Sequence, residues 1–364
     1  MTDWHRLLRK PVKPDWEGLK ANLLRRGTPA RVYNMELFED REIKDEVCRI
    51  YGIGADLDFA DPYFPWRREI AVQRFLGYDA VACAVEWPGF PREQLAATDS
   101  TPIASQSRGT RIWTDEHHGP VQSWAEFETY PWPKPEDIHT DTLEWLARNL
   151  PDDMCIYAGC HSVFEEVTWL MSYEGLSIAL YDQPDLVDAM FERIGGLFYE
   201  VARVLAQVPR VEILFGGDDM GFKTQTMISP KILVAKSLPW HRKMAALAHE
   251  RGRPYLLHAC GNLKDIMEPL IQDVGIDGKH SFEDTIQPVT EAKRVYGDRI
   301  ALIGGIDMDL MCRGTEDQIR RRVREVLDVC QPGGGYCLGT GNTVANYVPL
   351  ENYLAMLDEG RRYA

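Results

Sequence analysis

Short apolar runs alternate along this chain with stretches that have the period of amphipathic helices. Eight runs are typical of β-strands and end in polar or glycine-rich segments; they are 31–36, 80–87, 154–160, 211–219, 254–262, 276–284, 300–307 and 335–342. Strands that alternate with helices form right-handed crossovers and therefore a parallel sheet. Eight such units within 364 residues predict an α/β fold, a (β/α)8 TIM barrel, rather than an open doubly wound sheet. The first run is not followed by a glycine-rich nucleotide fingerprint, which also argues against the open sheet.

Two segments depart from this alternation. Residues 1–30 are predicted to form leading helices that close the bottom of the barrel or pack beside it. Residues 100–133 are rich in turn residues and aromatics, and we expect them to form a β-hairpin insertion after the second strand. Because the chain has no internal repeat, low-complexity tract or flexible linker, we expect residues 1–364 to form a single domain.

The charge balance excludes several classes of partner. Lys and Arg number 41 against 56 Asp and Glu, which gives a formal charge of −15 at pH 7. Nucleic acids and anionic membrane surfaces both require basic patches, so neither is expected as a partner. No stretch approaches the roughly 20 apolar residues of a membrane span, and the first residues lack the apolar core of a signal peptide. The eight cysteines are scattered, which argues against a disulfide framework and favours the cytoplasm.

His258-Ala259-Cys260 is the sharpest cluster of chemically active residues. In a strand, residues i and i+2 project to the same face, so the imidazole and the thiol point together. Cys337 in the last apolar run would supply a third soft ligand. An imidazole and two thiolates bind Zn²⁺ tightly, and a catalytic zinc keeps its fourth position for substrate. The alternative is that His258 is a buried barrel histidine and that both cysteines fill the core.

Carboxylates at other strand ends are candidates for catalysis, because the carboxyl ends of barrel strands form the active site. Asp218 and Asp219 end the fourth run and could orient substrate or hydrogen-bond a metal-ligating histidine. Helix capping is the alternative for either aspartate. Glu86 and Glu165 are candidates for a fourth metal ligand or a substrate contact, or they are solvated loop carboxylates.

Three further polar residues lie at the same predicted rim. His280 lies in the sixth run, Asp307 ends the seventh, and Asn342 ends the eighth. We expect these three side chains to line the pocket and bind substrate.

From about residue 20 onward the chain resembles the uroporphyrinogen decarboxylase superfamily. The resemblance is carried by the segments HACGNLKDIMEPLIQDVGIDG, RIALIGGIDMDLMCRGTEDQIRRRV and GGGYCLGTGN. Within the superfamily the chain most resembles the corrinoid-dependent methyltransferases, including the methylcobamide:coenzyme M branch. The His-X-Cys…Cys zinc motif of that branch implies His258, Cys260 and Cys337 as ligands, with the two cysteines 77 positions apart (337 − 260).

This resemblance implies a zinc-dependent methyltransferase that moves a methyl group between a corrinoid and a small thiol or an O-, S- or N-methylated substrate. The chain has no DxHxxG segment of the kind that ligates cobalamin, so the corrinoid would be free or carried by a partner corrinoid protein. A homodimer is expected because it is a common state of soluble enzymes.

The chain also departs from the decarboxylase itself. Where that enzyme has an arginine-rich segment of the form MRQAGR, this sequence has the acidic segment 35–40. Carboxylates there would repel a multiply anionic porphyrinogen, which argues against uroporphyrinogen decarboxylase activity. Two alternatives stay open. One is a metal-independent decarboxylase or lyase that uses Asp218 or Asp219 to handle a proton, and the other is a non-catalytic ligand-binding barrel.

Overall fold

The computed structural model describes residues 3–98, 110–114, 117–160 and 162–363. The strands in this part of the chain are β1 (Tyr33–Asn34), β2 (Ala80–Cys83), β3 (Gln94–Thr98), β4 (Thr110–Thr114), β5 (Cys155–Gly159), β6 (Val211–Gly217), β7 (Tyr255–His258), β8 (Gly278–His280), β9 (Ala301–Ile303) and β10 (Tyr336–Leu338).

The α-helices are α1 (Trp16–Leu23), α2 (Arg41–Tyr51), α3 (Phe64–Leu76), α4 (Trp124–Thr129), α5 (Asp141–Asn149), α6 (Val163–Met171), α7 (Tyr173–Asp182), α8 (Pro184–Leu205), α9 (Pro230–Lys236), α10 (Leu238–Glu250), α11 (Met267–Pro269), α12 (Val289–Tyr296), α13 (Met308–Arg313), α14 (Glu316–Cys330) and α15 (Leu350–Arg362). Shorter turns are 3₁₀ at Trp4–Arg6 and Pro135–Asp137 and π-helical at Leu270–Val274. Within the described residues, no helix has the length and apolar character that crossing a bilayer requires.

Eight strands form one parallel sheet in the order β1-β10-β9-β8-β7-β6-β5-β2. Each of these strands lies within one of the eight runs that the sequence predicted, with helices between them. The predicted α/β fold with eight parallel strands is therefore confirmed. Parallel strands all end on the same side of a sheet, so the loops after β6, β7, β8 and β10 share one rim.

The sheet is curled, so that its two edge strands come together. Tyr33 of β1 and Ala80 of β2 belong to one buried cluster with interior residues from five of the other strands. An ion pair joins Arg31, just before β1, to Asp79, just before β2. Within the described residues no backbone pairing links β1 to β2. Side chains therefore hold the seam, which is the line along which these two edge strands meet.

Helix α1 covers the amino-terminal end of the curled sheet. Its N-cap Asp15 accepts a hydrogen bond from the Gly18 amide, and Leu19 and Leu23 reach the interior cluster. The Asn22 side chain donates to the Tyr336 carbonyl of β10. Helix α1 thus closes the interior at the amino-terminal ends of the strands. The rim at their carboxyl ends stays accessible for a functional site.

The insertion after β2 differs in detail from the predicted hairpin over 100–133. Its strands β3 and β4 are antiparallel, and β3 already begins at Gln94. Residues 99–109 and 115–116 of the insertion lie outside the described residues. Towards its end stands helix α4 rather than a strand, because the Ser123 side chain accepts from the Glu126 amide in an N-terminal cap.

The seam between β1 and β2 generates a stability prediction. Asp79 is fully buried, so Arg31→Met would leave its carboxylate with the Asp15 amide as a remaining donor. We expect the free energy of unfolding to fall by roughly 2–4 kcal/mol, the cost of breaking a largely buried pair discounted for the partial exposure of Arg31. Adding Asp79→Asn should recover much of that loss, since it removes the unpaired charge.

Urea denaturation measures these effects. Arg49→Met serves as control because it removes an exposed pair with Glu46 and should leave the midpoint unchanged. If Arg31→Met behaved like this control, the ion pair would contribute nothing to closure of the seam.

Candidate metal centre

Three neighbouring strands, β6, β7 and β8, carry polar residues of the rim. Gly217 of β6 pairs in register with His258 of β7, which pairs in turn with His280 of β8. Asp219 lies two positions beyond Gly217, and Cys260 two positions beyond His258. Because residues i and i+2 of an extended chain point the same way, these side chains converge above the interior cluster.

Asp219, His258 and Cys260 form a group whose ligand atoms all lie within 4.8 Å of one another. The His258 Nε2 is 3.4 Å from the Cys260 Sγ and 3.3 Å from the Asp219 Oδ1. A tetrahedral zinc with ordinary Zn–N, Zn–O and Zn–S bonds needs its ligand atoms about 3.3–3.6 Å apart. The donor set and these two separations therefore fit Zn²⁺.

Asp219 carries a negative charge into this group. Burial raises the pKa of its carboxyl, but hydrogen bonds from His258 and from the Cys260 amide, the latter 2.8 Å long, hold the pKa below its usual value. The same carboxylate oxygen is thus fixed by the backbone of one ligand and lies beside the imidazole of the other.

The Cys260 thiol is protonated as long as no cation is bound. Burial and the Asp219 charge raise its pKa to about 12, against the opposite effects of Lys279 and Ser281. The Asn342 Nδ2 lies 3.0 Å from the sulfur and donates to it. A divalent cation would reverse this balance, because a coordinating thiol loses its proton.

His280 orients His258. The two Nδ1 atoms are 2.7 Å apart, so one donates to the other. Burial and the neighbouring His258 lower the pKa of His280 well below its usual value, so this imidazole is neutral. With His258 Nε2 on a metal, its Nδ1–H would donate to His280, and such a hydrogen bond to the remote nitrogen fixes a ligating histidine.

Asp218 faces away from this group, into the helix layer. It is fully buried and accepts hydrogen bonds from the backbone amides of Phe164 and Glu165, from the Ser237 hydroxyl and from the His241 Nε2. Adjacent residues of an extended chain point to opposite sides, which is why Asp218 and Asp219 separate. Asp218 thereby holds the start of α6, and no sequence pattern indicated its partner His241.

Glu165 is the second acid of this region. Burial, together with the negative charge of Asp219, raises the pKa of its carboxyl to about 8. The Ser162 hydroxyl donates to it at 2.8 Å. Glu165 therefore holds a proton at neutral pH in the metal-free chain, close to the group of Asp219, His258 and Cys260.

Cys337, the predicted third zinc ligand, does not lie in the group. Its thiol is fully buried in the interior cluster, 3.5 Å from the Asn22 side chain of α1, and its position in β10 pairs with Tyr33 of β1. Asn342, five positions further on, is the residue of this segment that reaches Cys260. The sequence indicated the correct strand but not the depth of the cysteine along it.

Glu86 and Asp307 are not brought into the group either. The Glu86 carboxylate accepts the Thr142 amide at 3.0 Å, within the first turn of α5. Asp307 caps α13 by accepting the Asp309 and Leu310 amides at 2.9 and 3.2 Å. Both carboxylates satisfy helix amides instead of joining the metal ligands.

Comparison with known proteins places the chain in a family. A model described as "Uroporphyrinogen decarboxylase (URO-D)" matches residues 107–363. The uroporphyrinogen decarboxylase of Alkalilimnicola ehrlichii is 25% identical over 324 residues, which cover 82% of this chain and 86% of that protein.

Two methyltransferases are also similar. The methylcobamide:CoM methyltransferase MtaA of Methanosarcina barkeri is 33% identical over 103 residues, which are 28% of this chain and 29% of that protein. A solved methyltransferase from Methanosarcina mazei has the same fold, with a TM-score of 0.69, 18% identity, and coverage of 95% of this chain and 97% of that one.

The raised pKa of Glu165 generates a pH prediction. The unfolded carboxyl titrates near 4.5 and the folded one near 8, so between these values the folded state holds a proton that the unfolded state has released. Stability therefore falls as pH rises through this window. Glu165→Gln cannot ionise, so it should stabilise the chain more at pH 8 than at pH 5.5, by more than about 1 kcal/mol.

Denaturation of chelator-treated protein at the two pH values tests this prediction. Glu174→Gln, which changes an exposed glutamate of α7, is the control and should show no such difference. Equal effects of Glu165→Gln at both pH values would mean that Glu165 is ionised throughout.

Proposed function

Because the chain belongs to the uroporphyrinogen decarboxylase family, we propose that it is a zinc-dependent methyltransferase of this family. It would move a methyl group between a corrinoid and a small thiol or an O-, S- or N-methylated substrate. The observation that carries the proposal is the convergence of Asp219, His258 and Cys260 at the rim. The likeness of a 103-residue segment to MtaA of M. barkeri supports it.

Zinc held by three protein ligands has a fourth position for substrate, where the ion supplies Lewis-acid chemistry that favours the thiolate form of a thiol or polarises a methylated heteroatom. Asp219 is the third ligand of this proposal, in the place that the sequence assigned to Cys337. His280 fixes the His258 ring, and the Cys260 amide fixes the Asp219 carboxylate, so the ligands are positioned before metal binds.

Glu165 would handle the proton of the reaction. Since burial favours the protonated form of its carboxyl, it is suited to protonate a leaving oxygen or nitrogen when the methyl group departs. In the opposite direction, its ionised form would accept the proton that a thiol substrate releases.

The corrinoid and its carrier would approach the rim from outside. A partner corrinoid protein, or free corrinoid, is required because the chain lacks a cobalamin-ligating DxHxxG segment. We also propose that the curled sheet is a (β/α)8 barrel closed between β1 and β2 through the Arg31–Asp79 pair, that residues 1–364 form one domain, and that the enzyme works as a cytoplasmic homodimer.

A metal-independent decarboxylase or lyase is the second candidate, favoured by the 25% identity with the A. ehrlichii enzyme over most of both chains. The segment 35–40 holds no arginine, so it offers no clamp for a multiply anionic porphyrinogen, and a smaller acid would be the substrate. Such an enzyme would stay active after chelation. A non-catalytic barrel would instead bind zinc through four protein ligands or not at all.

Metal content tests the ligand set directly. Wild-type protein purified under reducing conditions should contain about one zinc per chain by elemental analysis. Cys260→Ser and Asp219→Ala should each lose most of it, because each removes one of three protein ligands. Cys337→Ser is the matched control and should retain the metal, since its sulfur lies in the interior cluster. Loss of zinc from Cys337→Ser alone would restore the ligand set indicated by the sequence.

Methyl transfer can be assayed with free methylcobalamin and a small thiol. The thiolate sulfur would form a bond to the methyl carbon while the cobalt–carbon bond breaks and its electron pair stays on cobalt. We expect loss of methylcobalamin absorbance and a methyl thioether in mass spectrometry, both abolished by chelation and by Cys260→Ser. Methyl transfer that continued at the same rate after chelation would exclude a zinc mechanism.

A further inference from the structure

Asn342 reaches the Cys260 sulfur from the loop after β10. Its Nδ2 lies 3.0 Å from the Sγ, and the side chain is partly buried. The preceding Gly341 is held by an amide hydrogen bond of 2.7 Å to the Ile306 carbonyl. A Cβ on Gly341 would come within 2.6 Å of the Phe282 carbonyl, so the loop needs this glycine to lie so close. The position of Asn342 is therefore imposed by backbone packing.

Ser281 approaches the same sulfur from the loop after β8. Its hydroxyl is buried, lowers the pKa of the Cys260 thiol, and has no hydrogen-bond partner of normal geometry in the described part of the chain. The Asn342 amide N–H thus donates to this sulfur, and the Ser281 hydroxyl is a second neutral donor that acts on the same thiol. Neither adds charge, and a thiolate would accept from both.

We propose that Asn342 is a positioning residue that donates a hydrogen bond to the metal-bound Cys260 thiolate and keeps this sulfur from accepting the methyl group. The inference rests on the proposed function. A methyltransferase with a zinc-bound protein thiolate and a zinc-bound substrate thiolate must direct methyl to only one of them. Hydrogen bonds withdraw electron density from the accepting sulfur, so the substrate sulfur, without them, remains the better nucleophile.

Self-methylation is the reaction that this arrangement opposes. In it the Cys260 sulfur would form a bond to the methyl carbon, and the electron pair of the broken bond would stay on the methyl donor. The product, a neutral thioether, is a weaker zinc ligand than a thiolate, so each such event would inactivate one chain.

The experiment compares wild type with Asn342→Ala and Asn342→Asp, each loaded with Zn²⁺ or Co²⁺ alone. Asn149→Ala is the control, because that side chain bonds within α5. Both Asn342 variants lose the N–H donor, so their thiolate-to-cobalt charge-transfer band should move to longer wavelength. Zinc affinity by chelator competition should fall on the order of 10–100-fold, as for other outer partners of metal ligands. Methyl iodide should methylate Cys260 of the zinc-loaded variants several-fold faster, as located by peptide mass spectrometry.

Asn342→Asp separates donation from ligation. If the side chain used its oxygen to bind the metal, the aspartate would hold zinc as tightly as wild type or more tightly, and that result overturns the proposal. Variants that match the Asn149→Ala control in cobalt spectrum and methylation rate also overturn it, while the proposed function stands. A wild-type chain that takes up neither ion overturns the proposed function, and this inference with it.

Discussion

Contact between two glycine backbones makes the rim chemistry possible. A Cβ on Gly261 would lie 2.3 Å from the carbonyl carbon of Gly221, and one on Gly221 would lie 2.6 Å from the Cys260 carbonyl oxygen. Only glycines therefore allow the loops after β6 and β7 to touch. Gly261 also has φ +77°, a conformation that side chains disfavour. This approach brings the Asp219 carboxylate to the Cys260 amide and so creates the ligand group.

A buried ammonium extends the same support to the next loop. Lys279 of β8 donates to the Ala259 carbonyl at 3.2 Å and to the Ser281 carbonyl at 2.6 Å, which ties the loop after β8 to that after β7. Burial lowers its pKa to about 8, so at neutral pH it is still mostly charged. The positive charge of Lys279 and the negative charge of Asp219 attract each other. The segment that carries His280 and Ser281 is held beside Cys260 in this way.

The sequence predicted the architecture far better than the depth of side chains within it. All eight strands of the curled sheet fall inside predicted runs, because strand and helix periodicities are local properties. Whether a cysteine lies in the interior or at the rim depends on how far along the strand it stands relative to its neighbours. Cys337 and Asn342 are five positions apart, and pattern alone did not distinguish which of them meets Cys260. The pairing of β1 with β10 decides it.

The separation of Asp218 from Asp219 shows the same limit at single-residue scale. Sequence analysis assigned both aspartates the same candidate roles, yet Asp218 binds helix amides and His241 while Asp219 joins His258 and Cys260. Which of two adjacent carboxylates faces the rim follows from the pleat of β6, whose end the sequence located only approximately. The hydrogen bonds of Asp218 also support the site, because they fix the start of α6 and with it Glu165.

The acidic segment after β1 supports the site from within rather than facing a ligand. Glu36 is buried and accepts both the amide and the hydroxyl of Thr340, at 2.8 and 2.6 Å, and Glu39 is also buried. The expected repulsion of an anionic substrate by these carboxylates is therefore not their main effect. Burial raises the pKa of Glu36 well above its usual value, so a proton removes the charge of this carboxyl. Thr340 stands two residues before Asn342, so the segment that would hold substrate carboxylates in the decarboxylase here braces the loop that reaches the Cys260 sulfur.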